Sequence, residues 1–287
     1  MRGEDAPGQA GEYTDDEKGA SNVKKGISCL VQRHRELSHL DMFRQASDWG
    51  YDGVEALMHE TGELSMTASD ADLARVREMA AEVGVEIVSL CPRIGRDCSL
   101  THPQAEVRDF GKEVVRGLIR CAAALGVDAF LLVAGRVSED VRYDRALERA
   151  GEALRELAPE AAAAGVTIAV ENVWNRMLLS PVEARDFLDG IGSPGVGWFF
   201  DIGNVVLFGY PEQWIEILGP RLKRVHAKDF RRKDYRFTPL LEGDVNWPRV
   251  MAALRGIGYD HYLISEVDGD DEAHMRTAAA LTQIIAL

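Results

Sequence analysis

From about residue 25 onward, apolar positions along the chain switch between two spacings. Segments with apolar residues near every 3.6 positions run into a glycine, and a short, mostly apolar run follows. Gly50 precedes GVEAL (53–57), Gly84 precedes VEIVSL (85–90) and Gly126 precedes VDAFLLV (127–133). Gly165 precedes VTIAVEN (166–172), and Gly258 precedes YLISEV (262–267). Glycine suits these junctions because a helix commonly ends on a residue of positive φ. Three more runs complete the strand set: GISCLV (26–31), GWFFDIG (197–203) and KRVHAKD (223–229).

The segments between the runs read as helices. Ser69 and Asp70 lead into ADLARVREMAAEV with a capping residue and apolar spacing near 3.6. Ser180-Pro181-Val182-Glu183 is a helix start, with Ser as N-cap and Pro in the first turn. Residues 138–164 are rich in Ala, Leu, Glu and Arg, Asn246-Trp247-Pro248 opens a late helix, and the chain closes on another after Asp271. Eight short apolar strands alternating with about eight helices predict a single (β/α)8 TIM barrel over residues 25–287. A doubly wound sheet is the rival. No GxGxxG follows an early strand and no GxxxxGK[ST] occurs, which counts against it.

Residues 1 to about 21 are polar and glycine-rich, and residues 1–24 are read as a disordered N-terminal extension. No apolar run is long enough to span a bilayer and no signal-peptide core is evident, so a cytoplasmic location is expected. Cys29, Cys91, Cys98 and Cys121 form no CxxC pair and are expected as reduced, mostly buried thiols. A formal net charge of −14 opposes contact with nucleic acid or an anionic membrane, yet leaves room for a small phosphorylated substrate.

On a TIM barrel the chemistry sits at the carboxyl ends of the strands. Four consecutive strands end there in Glu171, Asp201, His226 and Glu266, behind the apolar approaches VTIAVE, VGWFFD and YLISE. Burying carboxylates at such places is costly unless a cation compensates several at once. Three carboxylates and one imidazole suit Mn²⁺, with Mg²⁺ or Co²⁺ as substitutes, better than a thiolate-lined structural zinc site. Two open positions on such a cation would take adjacent oxygens of a hydroxy-ketone, favouring an enediolate while a carboxylate on either face moves a proton. Lys228 shares the strand parity of His226 and would bind a hydroxyl or a phosphate. Asp229 would support the site from behind. Glu242-Gly243-Asp244 is read as a loop over the site with Trp247 packed behind it. Asn175 and Arg176 follow strand five as possible substrate contacts. Glu55 in strand two and Arg93 after strand three read as charged loop or rim residues, and either could contact substrate. Trp174, Trp198 and Trp214 would serve as core or pocket wall, an aromatic wall suiting the apolar face of a sugar. The other histidines, at 34, 39, 59, 102, 261 and 274, show no ligand spacing.

These segments resemble the sugar phosphate isomerase/epimerase family of the xylose-isomerase-like TIM barrels, the superfamily that also holds ketose 3-epimerases, inosose dehydratases and the apurinic endonuclease IV type. The likeness is carried by ENVWNRMLLSP (171–181), FFDIGNVVLFGYPEQWI (199–215), KRVHAKDF (223–230), LLEGDVNW (240–247) and SEV (265–267), and extends over roughly residues 25 to 285. It implies a metal held by Glu171, Asp201, His226 and Glu266, with Glu171 and Glu266 also acting as the acid/base pair. Many relatives carry His three residues after the strand-six Asp. Here Asn204 stands in its place, able to bond a substrate hydroxyl but not to relay a proton.

The expected activity is a metal-dependent ketose or ketose-phosphate isomerase or epimerase acting on a small sugar, with a homo-oligomer as a further expectation. The alternative keeps the metal site and eliminates instead: a dehydratase, or a lyase on a keto-sugar or 3-keto-glycoside resembling the C-glycoside deglycosidases. An apurinic-site nuclease is disfavoured by the acidity and the missing extra His ligands, and a non-catalytic sugar-binding subunit by the intact ligand set.

Overall fold

In chain order the elements are β1 (Lys24–Ser28), a 3-10 turn (Cys29–Gln32), α1 (His39–Asp48), β2 (Gly53–Met58), α2 (Asp70–Val83), β3 (Glu86–Pro92), α3 (Ala105–Leu125) and β4 (Ala129–Leu132). There follow α4 (Tyr143–Ala163), β5 (Thr167–Glu171), α5 (Pro181–Ile191), β6 (Val196–Asp201), α6 (Ile202–Val206), α7 (Pro211–Leu218) and β7 (Leu222–Ala227). The chain ends with β8 (Asp229–Arg231), β9 (Arg236–Thr238), α8 (Trp247–Gly256), β10 (Tyr262–Ser265) and α9 (Asp271–Ile285). This computed structural model describes residues 22–32 and 37–287. The extension read over residues 1–24 lies outside the described residues as far as 21. Its last three residues are part of the fold, Val23 being buried and Lys24 opening β1. His34 is likewise outside the described residues.

The sheet runs β3-β2-β1-β10-β7-β6-β5-β4, every pairing parallel. β3 and β4 stand next to each other across the seam. The result is a nearly closed (β/α)8 TIM barrel. Strands such as GVEALM in β2 and VGWFFD in β6 are buried at every position, as parallel strands covered on both faces must be. Fully buried aromatic rings, Phe43, Phe130, Trp198, Phe199, Phe200 and Phe230 among them, supply much of the core.

The helix punctuation follows the sequence. Ser69 caps α2 in a reciprocal box with Asp72, worth about 1 kcal/mol, and Ser180 with Pro181 opens α5. Gly84 and Gly126 end α2 and α3 with φ of 74° and 75°, a conformation a side chain would strain. Three details differ from the reading of the sequence. The run 26–31 leaves the strand at Ser28 and tightens into the 3-10 turn. The segment after Asp201 turns at once into α6, and the polar stretch after His226 forms an antiparallel hairpin, β8–β9, at the barrel mouth.

All four cysteines are free, and Cys29, Cys91 and Cys121 are buried. Among the described residues no helix is long and apolar enough to cross a membrane.

Candidate metal centre

The parallel register lines up the ends of β5, β6, β7 and β10. Asp201 pairs in register with His226, and Ile264 with His226 from the other side. Glu171 closes β5, and Glu266 follows β10 with its N–H donating to the Ala227 carbonyl at 3.4 Å. The outcome is one cluster. Glu171, Asp201, His226 and Glu266 each present one donor atom, and all four atoms lie within 4.8 Å of one another.

His226 Nδ1 is 3.0 Å from Glu171 Oε1, 3.3 Å from Glu266 Oε2 and 4.0 Å from Asp201 Oδ2. The opposite ring nitrogen, Nε2, is 3.1 Å from Glu55 Oε1, and that oxygen accepts a hydrogen bond from Ser28 Oγ at 2.7 Å. In the neutral ring with Nε2–H donating to Glu55, Nδ1 would be the lone-pair atom offered to a cation; without one, Nδ1 can carry a proton toward Glu171. Asp201 is fixed by its other oxygen, which accepts the Asn204 N–H at 2.8 Å. Asn172 clamps the two strand ends: its amide donates to the Asp201 carbonyl at 2.8 Å, and its oxygen accepts from the Asp201 N–H at 3.0 Å and from Trp198 Nε1 at 3.1 Å.

These residues fit a divalent cation. Four carboxylates (Glu55, Glu171, Asp201 and Glu266) face a single imidazole and the Lys228 ammonium, and each ion taken out of water costs several kcal/mol unless it is compensated. Asp201 Oδ2 is buried and accepts no hydrogen bond. Lys228 Nζ stands 3.0 Å from it but poorly aligned, so that contact is a charge pair only. Lys228 Nζ is also 2.5 Å from Glu266 Oε2.

The electrostatics show the same excess of negative charge. Burial, with repulsion from Glu266 and Asp201, pushes the Glu171 carboxyl up to about 7 against the opposing pull of His226. Burial raises Asp201 as well, although the Lys228 charge pulls against it. For His226 burial favours the neutral ring, but the Glu55 and Glu266 charges and the Glu171 and Glu55 hydrogen bonds prevail, and its pKa is raised. Lys228 is raised too, because Asp201, Glu266 and Glu171 outweigh its desolvation.

Two cavities meet at this cluster. A mainly apolar one of about 360 Å³ runs from Glu171, Glu266 and Lys228 to Leu30, Cys91, Leu131 and Val173. The other, about 440 Å³, shares Leu30, Lys228 and Glu266 and reaches Phe237, Thr238 and Asp268.

Of the residues read as substrate contacts, Lys228 lines both cavities. Glu55 is fully buried behind His226, where it orients the ring. Asn204 is turned away, its amide donating to the Asn172 carbonyl at 2.9 Å. Asn175 organises its own loop, donating to the Gly135 carbonyl at 2.8 Å and accepting from the Met177 N–H at 3.2 Å. The Glu242 side chain is exposed, and its carbonyl accepts from Arg231. Asp229 holds the loop that contains Glu242: its carboxylate accepts the N–H groups of Phe230, Leu241 and Val245 and the Trp247 indole N–H. A Cβ on Gly243 would come 2.0 Å from Asp229 Oδ1, so only glycine fits there.

The sequence reading gave no role to Ser28 or Asn172 and did not foresee the β8–β9 hairpin. Asn172 was accessible to it as the polar residue directly after Glu171; Ser28 was not, because its partner lies on a neighbouring strand.

The family model described as xylose isomerase-like TIM barrel matches residues 43–284. The chain belongs to that family. It is 28% identical over 249 residues to an L-ribulose-5-phosphate 3-epimerase, UlaE, of Escherichia coli (strain SE11), covering 83% of this chain and 87% of that one. Among solved structures it resembles a D-psicose 3-epimerase (TM-score 0.75, 19% identity, 91% of this chain and 98% of the other). It also resembles the 3-keto-D-glucoside 4-epimerase YcjR from E. coli (TM-score 0.73, 17% identity, 92% and 100%). At those identities the two structures speak for the shared fold.

Proposed function

We propose that the protein is a divalent-metal-dependent sugar epimerase or isomerase, with Glu171, Asp201, His226 and Glu266 as metal ligands and Glu171 and Glu266 as the acid/base pair. The observation that carries the proposal is the convergence of those four donor atoms within 4.8 Å at the carboxyl ends of adjacent strands. Membership of the family and likeness to sugar 3-epimerases support it.

Mn²⁺ is the cation this oxygen-rich, single-nitrogen set favours, with Mg²⁺ or Co²⁺ able to stand in. When bound, the cation supplies Lewis-acid polarisation of a substrate carbonyl. The rest is the chain's own work. Glu171, at the end of β5 with His226 Nδ1 3.0 Å away, accepts and returns a proton on one face of the substrate. Glu266, held by Lys228 at 2.5 Å, does the same from the other face of the carbon beside the carbonyl. Lys228 lines both cavities and places a positive charge beside substrate oxygens. Glu55 fixes the His226 ring through Nε2, so the ligand atom keeps its direction. The apolar wall on the β3 and β4 side limits water at the reacting carbon.

The test is hydrogen exchange in D₂O. Mn²⁺-loaded protein is given ketoses, ketose phosphates and 3-keto-glycosides, and NMR follows loss of the proton next to the carbonyl. Cation-dependent exchange on at least one of them is expected. An occupied metal site with no exchange across the panel would sink the proposal.

One observation favours a second reading, elimination from a keto-sugar or 3-keto-glycoside. Asn204, tied to the Asn172 carbonyl, leaves no proton relay at that point of the site. A new double bond or a released substituent among the products separates elimination from epimerisation, which conserves mass.

A further inference from the structure

We infer that the substrate carries a second ring, an aryl or glycosyl substituent, whose face lies against a stacked Trp174–Phe237 pair at the mouth of the barrel. The inference rests on the sugar reading above for the identity of the first ring.

The pair is built by two loops that are far apart in sequence. Trp174 follows β5, and Phe237 belongs to β9 of the hairpin. Their rings stack with centroids 5.3 Å apart and planes at 24°. Phe230, fully buried, meets both edge-on from below, at 5.7 Å from Trp174 and 5.3 Å from Phe237, and Tyr235 flanks Trp174 at 6.0 Å. The platform is nonetheless open to solvent: Trp174 and Phe237 are each 44% exposed and Tyr235 62%.

Exposed aromatic groups on a loose loop would mean little, but this platform is held rigid. Trp174 Nε1 donates to the Asn204 carbonyl at 2.9 Å, which ties the indole to α6, the helix that Asp201 caps. The hairpin is in register from Asp229 to Thr238, and the Asp229 carboxylate pins the loop behind it. Arg176, Leu178, Tyr235 and Leu241 are the non-glycine residues of positive φ among the described residues, and all four lie in these loops. Side chains of this size tolerate that conformation only where the surroundings over-determine it, and such strain gathers at ligand sites.

The platform is continuous with the reaction site. Lys228 Nζ, against Glu266, is 5.3 Å from the Phe237 ring centroid. Phe237 lines the cavity of about 440 Å³ that includes Glu266. Trp174 lines a further cavity of about 580 Å³ that meets the inner one at Cys98 and Val133. The inner cavity of about 360 Å³ is already of small-ligand size. Phe237 and Trp174 each border one of the two cavities that share residues with it, so a substituent on a sugar held there would meet one of the two rings. A flat, partly apolar face is what an aromatic slab takes, and both an aryl group and a pyranose ring offer one.

The experiment uses the full-length protein loaded with Mn²⁺ and three probes sharing one sugar: methyl β-D-glucopyranoside, phenyl β-D-glucopyranoside and cellobiose. Binding is read by calorimetry and by tryptophan fluorescence. The phenyl glucoside, cellobiose or both should bind about tenfold tighter than the methyl glucoside. A gain for the phenyl compound alone assigns an aryl substituent, and a gain for cellobiose alone a glycosyl one. Trp174→Ala should bring the ratio to about one, and Phe237→Leu, which keeps an apolar side chain without a π face, should do so even if the first variant folds poorly. Equal binding of the three probes, or none, overturns the inference. So does a Trp174→Ala variant that loses affinity for all three alike, or one whose only change is oligomeric state, which would make the slab an interface between copies of this chain. Because binding is read without turnover, ring preference without proton exchange overturns the epimerase reading alone. Exchange on a free ketose without ring preference overturns this inference alone.

Discussion

The two halves of the barrel carry different burdens. The later strands, β5, β6, β7 and β10, end in Glu171, Asp201, His226 and Glu266, with Lys228 beside them. The earlier ones, β1 to β4, bring no donor atom into that cluster. They contribute an apolar wall through Leu30, Cys91, Leu131 and Leu132, and one buried pair, Ser28 and Glu55, that reaches across to the far nitrogen of His226. Charge gathered on one side and apolar cover on the other is how a site keeps several carboxylates near a cation while water is shed. The contrast also ranks substitutions: those in the later half should abolish the chemistry, and those in the earlier half should tune it.

The largest effect belongs to His226. His226→Ala removes a proposed ligand and leaves Glu55 and Glu171 buried without their partner. Stability should fall by about 3–5 kcal/mol, with stoichiometric Mn²⁺ binding lost. Calorimetry in chemical denaturant and metal analysis of the purified variant would check it; a variant that still holds one equivalent of Mn²⁺ would remove His226 from the ligand set.

Glu266→Gln comes next. The amide keeps the shape of the carboxylate and its place near Lys228 but cannot cycle a proton. Exchange in D₂O should drop by about 10²–10⁴-fold with melting temperature close to that of the parent. Full exchange in this variant would mean that the acid/base pair has been misassigned.

Glu55→Gln sharpens the comparison, because it reaches the same centre from the opposite half. The ligand set stays whole, but the imidazole loses the carboxylate that sets its tautomer and direction. Mn²⁺ affinity should weaken by about 10–100-fold, less than for removal of a ligand. If Glu55→Gln abolished metal binding outright, the division of labour between the halves would fail.

The same division explains what the sequence shows on its face. Three of the later strands are apolar runs that lead into Glu171, Asp201 and Glu266, while His226 stands in the mixed run LKRVHA, and the parallel register brings the four together. The helix ends were legible for a local reason, since Gly84 and Gly126 sit where φ must be positive. Glu55 was harder. In the sequence it is a charge inside GVEAL, and only closure of the barrel puts it 3.1 Å from His226, 171 positions away. Asn204 also has a partner that its place after Asp201 does not announce: its amide donates to the neighbouring strand end at the Asn172 carbonyl. The β8–β9 hairpin left no periodic signal because its strands are three residues long, shorter than any alternation can reveal, and it is held by the Asp229 carboxylate.

The smallest effect, and the one most specific to the charged half, is on the pH dependence of stability. In the metal-free protein the folded state holds Glu171 at about 7, above the 4.5 of an unperturbed carboxyl, chiefly through burial, and it holds His226 above its ordinary value through the surrounding carboxylates. Both shifts have the same sign. From pH 4.5 for Glu171, and from pH 6.5 for His226, up to their raised values the native state binds protons that the unfolded chain has released, so this contribution to stability is complete below those ordinary values and is lost as pH rises. A bound cation takes the place of those protons and stabilises more as they leave. The gap in melting temperature between Mn²⁺-loaded and chelator-treated protein should therefore widen from pH 6 to pH 8, at roughly 2–4 °C per kcal/mol for a chain of this size. Scanning calorimetry on paired samples at three pH values would decide it. A gap that stays constant or narrows would show that the protons and the cation do not compete for Glu171 and His226, and the charged half would then owe its cohesion to Lys228.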